Sequence, residues 1–136
     1  MKYPFHIERT EVSRLSTVDF NNLQFGKLYG DHMFVAECRR GKWTDCRIIP
    51  FGNLPFSPAS SALHYGQIIF EGMKAFKNPE GEPLLFRPDM NWHRFNSSAA
   101  RMAMPAVPEE LWHDALNELV YMDADWIPQE KGCSLY

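Results

Sequence analysis

The sequence predicts an α+β domain in which helices pack on a mostly antiparallel sheet. Two strand-like runs, residues 31–38 and 43–49, flank a short loop that contains glycine, a pattern typical of a β-hairpin. A helix-like stretch that turns into a strand-like one follows at residues 62–77. Two amphipathic stretches bounded by prolines, residues 89–104 and 109–127, come last. Strands followed by a corner and two helices indicate an α+β layer domain.

The composition fits one packed domain and argues against several classes of protein. The chain has 136 residues, of which 45% are hydrophobic, enough for a single core. A net charge of -3 and a pI near 5.9 argue against binding to nucleic acid or anionic membranes. No apolar run approaches the roughly 20 residues of a membrane span, and residues 1–9 lack the apolar core of a secretory signal. The three cysteines lack metal-ligand spacing, so we expect reduced thiols, no metal site and a cytoplasmic protein.

The first part of the chain divides into an arm and the beginning of the domain. Residues 1–24 are polar and irregular, with weak strand character at Glu11 and Val12, and we expect an N-terminal arm lying over the domain. The domain is predicted to occupy residues 25–136, beginning with a glycine-bounded bend at 25–30. After the predicted hairpin, a proline-rich loop leads into the corner.

The segment from residue 62 to residue 77 is predicted to form a helix-to-strand corner. Four apolar residues have the spacing of one helical face: Ala62, Tyr65, Ile69 and Met73. Gly72 is placed to end this helix in the left-handed conformation, and residues 73–77 then alternate like a strand. Because such corners gather side chains and free backbone groups, Tyr65 and Phe70 become candidate site residues.

Turn and cap signals define the elements after the corner. Residues 78–81 fit a type I turn, residues 84–87 a returning strand, and Asp89 the N-cap of a helix that reaches about Met104. Its predicted buried stripe is Trp92, Phe95, Ala99 and Met102, with Arg94, Ser98 and Arg101 on another face. Pro108 opens the next helix. The apolar face of that helix is predicted to contain Trp112, Ala115, Leu116, Leu119, Met122 and Trp126, and a further strand is expected from Cys133.

Several separated motifs resemble those of the branched-chain amino acid aminotransferases, which are pyridoxal-phosphate enzymes of fold type IV. The motifs run in order and with family-like spacing from residue 25 to the end: Phe25-Gly26, Gly30-Asp31-His32-Met33, Ser61-Ala62-Leu63-His64-Tyr65-Gly66, Phe70-Glu71-Gly72-Met73-Lys74-Ala75-Phe76, Leu85-Phe86-Arg87-Pro88, Asn91, Arg94, Ser98-Ala99-Ala100-Arg101, Met104-Pro105 and Ser134-Leu135-Tyr136. Only the N-terminal arm lies outside the resemblance.

The resemblance implies the activity of a longer enzyme, of which this chain would be one domain. The family transfers the amino group of leucine, isoleucine or valine to 2-oxoglutarate, as homodimers or larger homo-oligomers. This chain resembles the small N-terminal domain, and the domain with the catalytic lysine is absent. None of its lysines stands in that lysine's motif: Lys2, Lys27, Lys42, Lys74, Lys77 and Lys131. We therefore expect no catalytic residue in this chain, no activity for it alone, and no retention of pyridoxal phosphate.

The resemblance also assigns binding roles to five positions. Arg94 matches the arginine that contacts the cofactor phosphate, and a guanidinium presents the planar fork of donors that phosphate accepts. Four aromatic residues match family positions around the substrate side chain: Phe25, Tyr65, Phe70 and Tyr136. In dimers of the family, the neighbouring subunit can contribute the tyrosine that Tyr65 matches. From spacing alone, Arg94 would be a surface arginine and the aromatics helix-stripe or core residues.

Other polar residues in the motifs receive structural roles. His32 and His64 are expected to be structural, because neither has a nearby second ligand for a metal. Glu71 is expected to pair with Lys74 near the corner.

Two alternatives remain at the level of sequence. Within the same fold, the chain would be part of a D-amino-acid transaminase or a relative of aminodeoxychorismate lyase, which generally lack the His64-Tyr65-Gly66 and Phe70-to-Lys74 motifs. Outside enzymes, it would be a self-contained binding or oligomerisation module without catalysis. A comparison of leucine with D-alanine as substrates separates the first alternative, and the genomic sequence after Tyr136 separates the second.

Overall fold

A computed structural model describes residues 3–136 and confirms the predicted α+β class within them. The first two residues of the predicted arm, with Lys2, lie outside the described residues. The regular elements are β1 His6–Ile7, β2 His32–Arg39, β3 Lys42–Pro50, α1 Ser61–Tyr65, β4 Ala75–Lys77, β5 Pro83–Leu85, α2 Pro88–Arg101 and α3 Glu109–Met122. Short 3-10 turns occur at Leu15–Thr17, Phe20–Asn22 and Ala124–Trp126.

The predicted hairpin of β2 and β3 is confirmed. Its two loop residues, Arg40 and Gly41, both have positive φ, 53° and 76°, as the tightest hairpin turns require. A bulge between Val35 and Glu37 shifts the register along the ladder. Ile48 on β3 is fully buried.

The N-terminal arm adds a short strand to this sheet. β1 pairs in parallel with β3, Ile7 facing Ile48, and the Glu8 N–H donates to the Ile48 carbonyl at 2.9 Å. The strand order of the sheet is therefore β1-β3-β2. The weak strand predicted at Glu11 and Val12 is wrong, because both residues lie in a bend. The boundary between arm and domain at residue 25 stays a prediction.

The corner begins as predicted, but its helix is much shorter. α1 ends at Tyr65, and Gly66 takes the left-handed conformation, φ 63° and ψ 28°, that was expected of Gly72. Residues 66–74 form no regular element, so Ile69 and Met73 do not continue a helical face. The Gln67 side chain holds this segment by donating to the Met102 carbonyl at 2.9 Å.

β4 and β5 form a separate two-stranded antiparallel sheet rather than part of one larger sheet. The predicted turn between them is confirmed by the Gly81 N–H, which donates to the Asn78 carbonyl at 3.0 Å. The strand expected from Cys133 is reduced to one antiparallel bridge. In it Leu135 and Ala75 exchange hydrogen bonds of 2.8 and 3.0 Å.

The two long helices are confirmed, with corrected ends. Asp89 is not the N-cap of α2: Arg87 occupies that position with φ 48°, and Pro88 is the first helical residue. α2 ends at Arg101 rather than about Met104. Ala103 lies beyond the helix with φ 53°, and Pro105 disfavours a helical conformation in Met104, the residue directly before it.

The helices meet the connecting segment through specific polar contacts as well as apolar ones. Asn96 makes two hydrogen bonds with the backbone of Val107, at 2.8 and 2.9 Å, and Trp92 donates to the same carbonyl at 2.8 Å. The rings of Phe95 on α2 and Trp112 on α3 lie 5.2 Å apart. These contacts orient α2, and with it Arg94.

The apolar core takes its most buried side chains from β3, α3 and the residue that follows the last 3-10 turn. Its largest fully buried side chains are Ile48, Leu111 and Ile127. Leu111 was not part of the apolar face predicted for α3.

Truncation of Ile48 tests this core. Ile48→Ala is expected to lower the free energy of unfolding by about 3 kcal/mol, because the lost methyl groups leave a cavity that the hairpin fills only partly. Urea denaturation measures the change. Ile68→Ala removes the same atoms from an exposed side chain and should change the free energy by less than about 0.5 kcal/mol. Equal losses in the two variants would contradict the position of Ile48.

Candidate functional site

Glu71 and Arg94 form an ion pair between a buried carboxylate and an exposed guanidinium. Glu71 lies in the irregular segment before β4, and Arg94 lies on the second turn of α2. The Arg94 Nε donates to Glu71 Oε2 at 2.7 Å, and its Nη2 donates to Oε1. The Glu71 side chain is 6% exposed and that of Arg94 is 68% exposed. The partner expected for Glu71 was therefore wrong: it pairs with Arg94 rather than Lys74.

Two further donors fix the Glu71 carboxylate. The Gly72 N–H donates to Oε1 at 2.8 Å, and the Asn91 Nδ2 lies 3.3 Å from the same oxygen. Asn91 also donates to the Gly72 carbonyl at 3.1 Å. The corner segment is thus attached to the first two turns of α2 by hydrogen bonds to the Glu71 carboxylate and to the Gly72 carbonyl.

These contacts shift the pKa values of both Glu71 and Arg94. The Arg94 hydrogen bond is the main cause that lowers the pKa of Glu71 from 4.5 to about 2; the Gly72 and Asn91 donors also lower it, against the opposite effect of burial. The same pairing raises the pKa of Arg94. Glu71 is consequently ionised at any pH near neutrality.

Arg94 lines a small cavity at the surface of α2. The cavity has a volume of about 380 Å³ and is lined by Met90, Asn91, His93 and Arg94. The third guanidinium nitrogen of Arg94, Nη1, has no hydrogen-bond partner among residues 3–136. Arg94 therefore offers unused donors on the side away from Glu71.

A second, larger cavity of about 880 Å³ contains two of the predicted substrate-site aromatics, Phe25 and Tyr136. Their rings lie 5.2 Å apart in an edge-to-face arrangement. Most of the remaining lining is apolar. It comes from the arm, β2, the irregular segment before β4, β4 itself and α3, including Phe20, Leu23, Phe34, Met73, Ala75, Leu116 and Leu119. Phe25 and Tyr136 remain 82% and 62% exposed, so the cavity is open to solvent at this end.

Gly72 lies beside both the charged pair and this larger cavity. A methyl group placed on Gly72 would overlap the hydroxyl and ring of Tyr136. Glu71 precedes Gly72 directly and binds Arg94. The glycine therefore allows the close approach of Tyr136 to the segment that holds the ion pair.

The structure does not bring the other two predicted aromatics into either cavity. Tyr65 at the end of α1 is 86% exposed, and Phe70 in the irregular segment is 85% exposed. Neither lines the cavity of Arg94 or the cavity of Phe25 and Tyr136. Of the five predicted site residues, Arg94 lines one cavity, Phe25 and Tyr136 line the other, and Tyr65 and Phe70 line neither; Glu71 and Gly72 link the two cavities.

Sequence reasoning missed a buried polar cluster around Asp31 and Asp123. Asp31 accepts hydrogen bonds from the Ser13 hydroxyl at 2.5 Å, the Arg14 N–H at 3.0 Å and the Trp126 indole at 3.0 Å. Burial raises the pKa of Asp31, but these hydrogen bonds outweigh it and the pKa lies below its ordinary value. No local pattern signals the cluster, because Asp31 and Trp126 are 95 residues apart.

His32 has the structural role that the sequence predicted. Its Nδ1 lies 2.6 Å from the Asp123 carboxylate, and its Nε2 accepts the Thr10 N–H at 3.0 Å. These partners assign a neutral ring with the proton on Nδ1. His32 thereby ties the N-terminal arm to the residue that follows α3.

Residues 3–136 contain no group of three or more His, Cys, Asp or Glu side chains placed to hold a metal ion. No helix in this part of the chain has the length and apolar character needed to cross a membrane. Cys38, Cys46 and Cys133 are free thiols.

Acid titration tests the Glu71–Arg94 pair. Because the folded-state pKa of Glu71 is about 2 and its ordinary value is 4.5, the pair stabilises the fold above pH 4.5 and loses this effect as the pH falls toward 2. In urea denaturation, Glu71→Gln should be less stable than wild type by about 1–2 kcal/mol at pH 6, allowing for solvent around Arg94, and the difference should shrink below pH 4.5. Glu82→Gln, an exposed carboxylate, is the control. A difference that does not vary with pH would contradict the assignment.

Gly72 provides a steric test. Gly72→Ala is expected to destabilise the fold by about 1–3 kcal/mol, since the new methyl group overlaps Tyr136. Gly52→Ala is the control, because its nearest atom beyond the chain neighbours lies 4.0 Å away. Thermal unfolding measures both. The double variant Gly72→Ala, Tyr136→Ala should lose less than the sum of the single variants, and full additivity would contradict the contact.

Comparisons with known proteins support the resemblance in the motifs. Branched-chain-amino-acid transaminase 1 of Bacillus subtilis is 48% identical over 119 residues, which cover 87% of this chain and 33% of the relative. Branched-chain-amino-acid aminotransferase 2 of the same organism is 45% identical over 136 residues, 99% of this chain and 37% of the relative. The mitochondrial branched-chain-amino-acid aminotransferase of Schizosaccharomyces pombe is 39% identical over 133 residues. No protein-family model matches the chain.

The extent of these matches defines what the chain corresponds to. The chain spans about a third of the length of the curated relatives that it matches, and the match lies in their N-terminal region. Identity of 39–48% over most of the chain is far above the level at which similarity arises by chance. The chain is homologous, over nearly its whole length, to the N-terminal region of the branched-chain-amino-acid aminotransferases.

Proposed function

We propose that this chain is the N-terminal domain of a branched-chain amino acid aminotransferase, which transfers the amino group of leucine, isoleucine or valine to 2-oxoglutarate. The observation that carries the proposal is the 48% identity to a branched-chain-amino-acid transaminase across 119 residues, which cover 87% of this chain. The lysine that binds the cofactor covalently would belong to the other two thirds of such an enzyme.

Pyridoxal phosphate is the cofactor in this proposal, and the donors around Arg94 fit its phosphate group. A guanidinium presents paired N–H groups in a plane, and phosphate oxygens accept them. Arg94 has an unused Nη1 beside a cavity that reaches the surface. The cofactor would supply the electron sink of the reaction. Arg94 would hold its phosphate and thereby orient it.

The larger cavity suits the side chain of an aliphatic substrate. Its lining between Phe25 and Tyr136 is predominantly apolar, and the free energy gained is about 0.8 kcal/mol for each methylene group buried there. Aromatic walls provide such contact without polar groups that require partners. Tyr65 and Phe70 would join this wall only when further protein covers them.

The proposal includes a homodimeric, cytoplasmic enzyme of fold type IV. The exposure of Tyr65 supports a composite site, because the side chain is free to reach a neighbouring subunit. The three free cysteines support the cytoplasm, where thiols are kept reduced.

Activity of the full-length protein read from its gene is the direct test. With 2-oxoglutarate as acceptor, leucine, isoleucine and valine are expected to be donors and D-alanine is not. Transfer from D-alanine alone would favour the D-amino-acid transaminase instead.

Removal of Arg94 tests the assignment of the phosphate site. In the full-length protein, Arg94→Ala should weaken binding of pyridoxal phosphate by about tenfold or more, the order of one or two charge-assisted hydrogen bonds. Dialysis followed by the absorbance of the retained cofactor measures the loss. Arg101→Ala is the control, because this exposed arginine lies on the same helix and pairs with no carboxylate among the described residues. Unchanged retention in Arg94→Ala would refute the assignment.

A further inference from the structure

The contacts of Arg94 divide its guanidinium into two edges. Nε and Nη2 form one edge, and both donate to the Glu71 carboxylate. Nη1 lies on the other side and has no partner within residues 3–136. A planar guanidinium held at two atoms has a fixed plane, so the direction of the free Nη1 donors is fixed as well.

Glu71 is itself held rigidly enough to act as a support. Its side chain is only 6% exposed, and the Gly72 N–H and the Asn91 amide both bond to it. The Arg94 side chain, by contrast, is 68% exposed and long. Without the carboxylate, such a side chain would sample many rotamers, and ordering it on binding has an entropic cost.

We propose that Glu71 is a positioning residue for phosphate binding: its buried carboxylate fixes Arg94 so that the Nη1 side faces an incoming phosphate group. This inference rests on the proposed function, because it takes Arg94 as the phosphate donor. Glu71 does not contact the phosphate, and it acts through Arg94. A carboxylate beside a phosphate site would otherwise weaken binding by repulsion, so the two effects of Glu71 have opposite signs.

The opposite signs make the proposal testable by one substitution. If positioning outweighs repulsion, Glu71→Gln weakens phosphate binding, because neutral Gln holds the guanidinium less firmly. If repulsion outweighs positioning, the same substitution strengthens phosphate binding. Glu71→Asp keeps the charge but withdraws the carboxylate by one methylene, so it separates the two effects a second time.

The experiment compares the affinity of full-length apoprotein for pyridoxal phosphate and for pyridoxal, which lacks the phosphate. The dissociation constant for pyridoxal divided by that for pyridoxal phosphate measures how much the phosphate group adds to binding. General damage to the site changes both constants and cancels in this ratio. We expect Glu71→Gln to raise the dissociation constant for pyridoxal phosphate roughly fivefold, the order expected for ordering one long side chain. The constant for pyridoxal should not change. Glu71→Asp should lie between wild type and Glu71→Gln, and Glu82→Gln should match wild type.

A double-mutant cycle separates failure of this inference from failure of the proposed function. In an Arg94→Ala background, Glu71→Gln should no longer weaken phosphate binding, because the positioned group is gone; only the repulsion is left to remove, so phosphate binding should stay unchanged or improve. An unchanged ratio in Arg94→Ala alone would refute the phosphate site itself. If Arg94→Ala lowers the ratio while Glu71→Gln leaves it unchanged or raises it, the positioning role alone is refuted. If Glu71→Gln does not fold, Glu71→Asp decides: a wild-type ratio refutes the proposal, and a weakened one supports it.

Discussion

An ionised carboxylate is costly to bury unless donors surround it, and this constraint fixes the least regular parts of the chain. Glu71, Asp31 and Asp123 all have buried side chains. Each is matched by donors distant in sequence: Glu71 by Arg94, Asp31 by groups from the arm and the turn after α3, and Asp123 by His32. The arm and residues 66–74 contain little regular structure, and these bonds hold them in place.

Local signals predicted most of the regular elements, because the physical reasons for those elements are local. The turn of Arg40 and Gly41 set the β2–β3 hairpin, and prolines set the beginnings of α2 and α3. The length predicted for the corner helix was wrong because it, too, rested on local signals alone. Gly66 was available to end it six residues before Gly72, while the apolar spacing that extended the prediction arises from packing outside a helix. The spacing of apolar residues does not distinguish a helical face from an irregular segment whose apolar side chains pack against the fold.

The candidate site was predictable only in part, because its geometry depends on contacts between distant residues. The family resemblance singled out Arg94, but its partner Glu71 lies 23 positions earlier and was assigned to Lys74. The closeness of Phe25 and Tyr136 followed from a family resemblance and from no local pattern. Gly72 was interpreted as a helix stop, whereas in the structure its missing side chain makes room for Tyr136.

The pairing of Arg94 with Glu71 also constrains how a phosphate would be recognised here. The two charges nearly cancel at a distance, and the whole chain carries a net charge of -3, so long-range attraction for an anion is weak. What remains is directional: N–H groups of known orientation at short range, which discriminate by geometry rather than by charge. Such an arrangement favours a ligand whose other parts are held elsewhere, because the phosphate then reaches the donors already oriented. A cofactor bound covalently in another part of an enzyme meets that condition, whereas free phosphate does not. The buried carboxylate that lowers the net attraction for anions is thus the same group that would make the site selective.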